Sequence, residues 1–189
     1  QGEQGSRGQG NSRRPHDRTS GVGSRLLYLL DADTLITGDR KAYPLRRFPI
    51  FWDWLRHQGT LGNVKVPLEQ FEEVTAGRGE IVDWLCTEEI RAALILGEEL
   101  NPTLVAETTL TGYGELDENG VELVGRDPFL IAYARVDPGE RTVVTFEVSK
   151  PSRRGARRKV PDVCADLEVP CCSLFDMIDA LDFTTDWQA

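Results

Sequence analysis

Apolar residues along this chain fall into short runs with two different periods. The first run is LLYLL at 26–30, continuous and closed at once by Asp31. An unbroken run of that length suits a strand buried on both faces. ADTLI then reads as a helical turn. In FPIFWDWLRHQG, Pro49 suits a first helical turn, Phe51, Trp54 and Leu55 share one helical face, and Gly59 can close the helix. A second strand is expected at 63–66, followed by a helix from Pro67 to about Ala76. Residues 79–97 carry a helical period in Ile81, Trp84, Leu85, Ile90, Ala93 and Leu94, and 102–113 carry a weaker one. The stretch GELDENGVELVG, 114–125, reads as an exposed loop. A helix opens near Asp127, with Phe129, Leu130, Tyr133 and Ala134 on one face, and Thr142–Thr145 is a β-branched strand. KPSRRGARRKV at 150–160 is a basic loop; helix is then expected at 163–167, strand at 169–172 and helix at 174–181. Strands alternating with helices predict an α/β fold, an α/β/α sandwich around a central parallel sheet. In such sheets the functional crevice lies beyond the carboxyl ends of the strands.

Composition narrows the chemistry more than the fold. Residues 1–25 contain no Leu, Ile or Phe and carry five arginines against Glu3 and Asp17. That segment is expected to be a disordered, mildly basic tail ahead of one domain over 26–189. The chain has two histidines, His16 and His57, so a Ser-His-Asp hydrolase or a histidine-rich zinc site lacks material. Its four cysteines, Cys86, Cys164, Cys171 and Cys172, show no CxxC spacing and read as reduced thiols of a cytoplasmic protein, the last three as buried small hydrophobes. No apolar run of about 18 residues is present, so no membrane span is expected. Asp and Glu number 31 against 22 Lys and Arg, a net charge of −9.

The placement of those acids is the informative point. Asp31 and Asp33 follow the first strand directly, Glu72 and Glu73 lie in the helix after the second, Asp127 opens a helix, and Glu147 stands two residues past Thr145. In a parallel sheet all four places can converge on one edge. Carboxylates gathered there repel one another unless a cation neutralises them, and a hard divalent ion such as Mg²⁺ or Mn²⁺ is the natural choice. Such a site activates water and stabilises a phosphoryl transition state. The alternative is capping, because acids favour helix N-termini anyway. Asp31 resists that explanation, since a carboxylate at the end of an apolar strand costs stability without a partner. Arg153, Arg154, Arg157, Arg158 and Lys159 place five positive charges in one loop beyond the strand that leads to Glu147. They read either as a phosphate-binding loop for RNA or as an ordinary solvated loop.

Taken together, LLYLLDADTLI, FPIFWDWL, VPLEQFEEV, RDPFLIAYA, VVTFE and KVPDVCADLEVPC resemble, in order and spacing, the PIN-domain nucleases, in particular a VapC-like toxin ribonuclease subgroup. The resemblance spans 26 to about 182. It implies a PIN-like three-layer α/β/α sandwich and a Mg²⁺- or Mn²⁺-dependent endoribonuclease, commonly the toxin of a type II toxin–antitoxin pair. By position it makes Asp31, Glu73, Asp127 and Glu147 the catalytic metal ligands, with Glu72 as the alternative to Glu73. It gives Asp33, Thr145 and Asp162 supporting places. It also implies an RNA substrate, a cognate antitoxin and a homodimer. Arg126 departs from the small residue common before the third acid, and Glu147 stands where many members have Asp.

Two other readings compete. DADT resembles the D-x-D motif of haloacid-dehalogenase phosphatases, with Asp31 as nucleophile, Asp33 as acid/base and Lys150 in the place of the phosphatase lysine, but the Gly that usually follows the second Asp is lacking. A PIN fold kept as a non-catalytic binding module is the other. The aromatic cluster Phe48, Phe51, Trp52 and Trp54 is expected in the core, part of it available to line a partner groove.

Overall fold

The LLYLL run becomes a strand with neighbours on both sides. A computed structural model describes residues 26–188, and the basic tail expected at 1–25 lies outside them. Strand β1 (Leu27–Leu30) runs parallel to β2 (Val64–Lys65) on one side and β3 (Arg141–Val144) on the other; β3 pairs in turn with β4 (Cys171–Cys172). Among the described residues these strands form one all-parallel sheet in the order β2-β1-β3-β4.

Helices fill the connections, as parallel strands require. They are α1 (Ala32–Thr37), α2 (Pro49–Leu61), α3 (Leu68–Thr75), α4 (Glu80–Leu85) and α5 (Glu88–Leu94) in the first half. In the second half come α6 (Pro102–Tyr113), α7 (Glu118–Val124), α8 (Asp127–Arg135), α9 (Val160–Asp166) and α10 (Leu174–Ala180). Successive strand residues point to opposite faces, and the core divides accordingly. Tyr28, Leu30 and Val144 pack with Phe51, Trp52, Trp54, Phe71, Leu85 and Met177 in one layer. Leu29 and Val143 pack with Tyr113, Leu130, Ile131 and Val163 in the other. The result is a three-layer α/β/α sandwich around a parallel sheet.

Several elements differ from the sequence reading. The helix expected over 79–97 breaks at Thr87, whose backbone is extended. It ends for good at Leu94, because Ile95 and Leu96 straighten to pair with Val66 through Val66 N to Leu94 O (2.8 Å) and Leu96 N to Val66 O (2.9 Å). Gly59 does not close α2. Gly62 does so, at a φ of 79° that favours glycine. Gly59 sits inside the helix where a Cβ would lie 2.8 Å from Ala93 O, so it permits the close approach of α2 and α5. The stretch 114–125, expected as loop, contains α7, capped by Asp117 Oδ1 accepting from Gly120 N at 2.7 Å. Helix α9 starts three residues before the expected Val163. Phe51, Trp52 and Trp54 are core residues, whereas Phe48 is 45% exposed and meets Tyr43 edge-on. Cys164 is buried, but Cys171 and Cys172 are only half-buried on the edge strand β4; all four cysteines are free thiols. Among the described residues no helix is long and apolar enough to cross a membrane.

Candidate active site

Register along the sheet creates the site. Leu30 pairs with Val144, so the next residues, Asp31 and Thr145, leave the sheet side by side. Asp31 is 5% exposed; its amide donates to Val144 O (3.0 Å) and its Oδ2 accepts from Thr145 Oγ1 (2.7 Å). Thr145 Oγ1 also accepts from Glu147 N at 3.1 Å. Asp33, exposed in the first turn of α1, accepts from Thr37 Oγ1 at 2.7 Å.

Asp127 comes to the same place through a residue that charge patterning passed over. Gln70 is fully buried on α3. Its Oε1 accepts from Ala32 N at 3.2 Å and its Nε2 donates to Arg126 O at 2.9 Å. One amide side chain therefore ties the turn after Asp31 to the turn before Asp127. Arg126 is held too, its Nη1 donating to Glu69 O (2.8 Å) and Glu72 Oε2 (2.7 Å). That pairing also separates the two neighbouring glutamates: Glu72 serves Arg126, while Glu73 lines the cleft.

The cleft beyond β1 and β3 has a volume of about 420 Å³, and Asp31, Asp33, Glu73, Asp127 and Glu147 all line it. Its electrostatics are those of acids short of cations. Burial, with repulsion from Asp33 and Glu147, pushes Asp31 up to about 7, although the Thr145 hydrogen bond works the other way. Burial, then Asp31, Glu147 and Glu73, pushes Asp127 up to about 8 against the pull of Lys159. Desolvation also raises Glu73, opposed by Arg126. Glu147 is differently placed. Its Oε1 forms an ion pair with Lys159, and its Oε2 accepts from Val160 N at 2.8 Å, satisfying the first amide of α9. Among the described residues no three His, Cys, Asp or Glu side chains form a group that could hold a metal ion as they stand.

The basic loop only partly meets its expectation. A groove of about 350 Å³ adjoins the cleft, shares Leu123, Asp127 and Glu147 with it, and is lined by Lys150, Arg153, Arg157, Arg158 and Lys159. Arg158 is spent on structure, donating to Gly112 O (2.6 Å), Asp162 O (3.0 Å) and Asp166. Arg154 folds onto Pro151 O and Arg153 O and does not line the groove, and Lys159 is committed to Glu147. Lys150, Arg153 and Arg157 are left exposed. Asp162 stands outside the cleft and anchors the loop, accepting from Ser149 Oγ and from Lys150 N at 2.7 Å.

A family model described as a domain of unknown function, DUF4411, matches residues 28–185. This chain is a DUF4411 protein. The match runs from β1 through α10, so the DUF4411 unit contains the whole cleft and its basic groove. No curated protein and no solved structure matches the chain.

Proposed function

We propose that this chain is a divalent-metal-dependent endoribonuclease with a PIN-like fold. The reading is carried by two carboxyls, the buried Asp31 and the half-buried Asp127, facing one cleft with Glu73 while Lys159 is committed to Glu147 and Arg126 to Glu72. Buried acids that repel one another are relieved by a cation. Hard oxygen donors suit Mg²⁺ or Mn²⁺. Mg²⁺ commonly takes only one or two protein carboxylates and keeps its waters, so it needs no closed cage. Asp31 and Asp127 would hold the ion, with Glu73 at the wall, and Glu147 would join only on leaving Lys159. When bound, such an ion supplies a water of lowered pKa and charge stabilisation at the phosphoryl oxygens.

The chain's own groups do the rest. Thr145 fixes the orientation of Asp31, and Gln70 keeps the two acid-bearing turns together. Lys150, Arg153 and Arg157, in the adjoining groove, attract flanking phosphates. That groove favours a polymer over a small phosphomonoester, and Lys150 lines it rather than the cleft of Asp31 and Asp33. The PIN resemblance extends the proposal to the toxin of a type II pair, a homodimer bound by its antitoxin. The four free thiols fit a reducing cytoplasm.

The locking of Glu147 by Lys159 and Val160 favours a second reading, a binding module whose catalytic set is incomplete. RNA cleavage by the purified chain with Mg²⁺, with Mn²⁺ and with EDTA, beside Asp31→Asn and Asp127→Asn, decides between them. Metal-dependent cutting lost in both variants supports the nuclease. A chain that binds no divalent ion by calorimetry leaves the binding module.

A further inference from the structure

The cleft has a second, apolar neighbour across α7. Helices α6, α7 and α8 surround a cavity of about 430 Å³ walled by Val105, Leu110, Val121, Pro128 and Phe129. Val124 and Gly125 line both this cavity and the acidic cleft, just as Leu123 lines both the cleft and the basic groove. Basic, acidic and apolar compartments therefore follow one another along three consecutive residues at the end of α7. Leu110 and Val121 are 59% and 58% exposed, large apolar side chains left in water at the cavity mouth. Glu115 stands at the rim as an exposed carboxylate with no hydrogen bond or ion pair among the described residues.

Resting on the nuclease reading above, we propose that this cavity receives a base of the RNA strand beside the bond in the cleft, and that the base is one with donors on its pairing edge, guanine first. A single strand presents phosphate and base in alternation, and the two flanks of the cleft match that alternation: cations on one side, an apolar hollow on the other. The volume lies within the roughly 300–1,000 Å³ of ordinary ligand pockets. Unstacked bases of single-stranded RNA bury their faces against aromatic side chains, and Phe129 offers one. A lone carboxylate repels phosphate but accepts from N–H groups. Guanine presents N1–H and N2–H side by side, which a carboxylate accepts as a pair, whereas uracil offers one N–H between two acceptors. A docked protein segment fits less well, because the hollow is concave and shares its inner wall with the acidic cleft.

The test uses the full chain carrying Asp31→Asn as a non-cutting trap, with Mg²⁺ and labelled single-stranded oligouridines that contain or lack one central guanosine. Fluorescence anisotropy is expected to show about tenfold tighter binding of the guanosine form, the order of one buried base. Ala106→Trp, which fills the cavity from an exposed position on α6, abolishes the difference. Glu115→Gln narrows it without weakening the plain oligouridine. Equal binding of the two oligomers by the trap, or a preference untouched by Ala106→Trp, overturns the proposal. So does an Ala106→Trp chain whose mass by light scattering changes while RNA affinity does not, since the cavity is then a protein interface. A wild-type chain that neither binds nor cuts RNA in Mg²⁺ fails at the nuclease reading itself, and the base pocket falls with it.

Discussion

The Thr145 hydroxyl donates to Asp31 Oδ2 across 2.7 Å, at the point where β1 and β3 end together. The same oxygen accepts from Glu147 N at 3.1 Å, so one hydroxyl organises both the first acid and the chain leading to the last. Thr145→Val keeps the shape and removes the donor, leaving a buried carboxylate oxygen without its partner. Unfolding free energy is expected to fall by about 1–3 kcal/mol, and Thr145→Ser to restore most of it. Urea denaturation at neutral pH compares the three; a valine variant as stable as wild type rules the role out.

Gln70 makes a stronger demand, because its two hydrogen bonds reach backbone groups 38 and 56 residues away. Gln70→Met fills the space but leaves Ala32 N and Arg126 O unpaired. A loss of about 1–3 kcal/mol is expected for buried polar groups left in that state. Destabilisation alone would be a purely structural result. The positioning role predicts in addition that Mn²⁺ affinity, measured by calorimetry on the folded variant, drops although no carboxylate was touched.

The contrast between Gln70 and its neighbours explains what was legible in the sequence. Asp31 announced itself by ending an apolar strand, and Asp127 by opening an amphipathic helix; both signals are local. The sheet and the layering followed from the alternation of strand and helix. Gln70 is an uncharged residue in an acidic helix, and its meaning lies in contacts with two distant turns that no local pattern records. Helix α7 was hidden by Asn119 and Gly120, poor helix formers, although Asp117 with an amide three residues on was a readable cap. Gly59 reads as a helix end in the sequence because a close approach between α2 and α5 leaves no trace in either helix alone. In the basic loop, a count of charges does not distinguish Arg158, turned in to Gly112 O, from Arg153 and Arg157, which face water.

The raised carboxyls set a pH dependence with a definite sign. In the unfolded chain an Asp titrates near 3.9; in the fold Asp31 is held at about 7 and Asp127 at about 8. Below about pH 4 both states are protonated and neither group makes stability depend on pH. Above it the unfolded chain ionises first, so in EDTA stability falls as pH rises. The loss amounts to up to about 1.4 kcal/mol per pH unit for each group, until that group's folded pKa is passed. Melting temperatures in EDTA are therefore expected to be lower at pH 8 than at pH 5. Asp127→Asn flattens the trend by removing one group, and Asp31→Asn flattens it twice over, by removing one group and by relieving Asp127. Saturating Mg²⁺ flattens it in the wild type. An EDTA profile that rises toward pH 8 is incompatible with this electrostatic picture.

Glu147 and Lys159 give a prediction that runs against the usual effect of removing a cation from a protein. If Asp31 and Asp127 hold the divalent ion, Asp31→Asn and Asp127→Asn each lower Mn²⁺ affinity by more than the roughly 10–100-fold that follows loss of a mere supporting partner. Glu72→Gln, acting on the Arg126 pair, leaves affinity unchanged, and Glu147→Gln changes it little, because both Glu147 oxygens are already engaged. Lys159→Met then releases a carboxylate beside Asp127 and removes the positive charge that competes with the ion. The metal-free variant is less stable than wild type, since Glu147 is left facing the other acids, yet it binds Mn²⁺ more tightly. Calorimetric titration of the five variants measures the ranking. Should Glu147→Gln cost as much affinity as Asp127→Asn, or Lys159→Met weaken binding, Glu147 is a ligand in its own right and Lys159 its support.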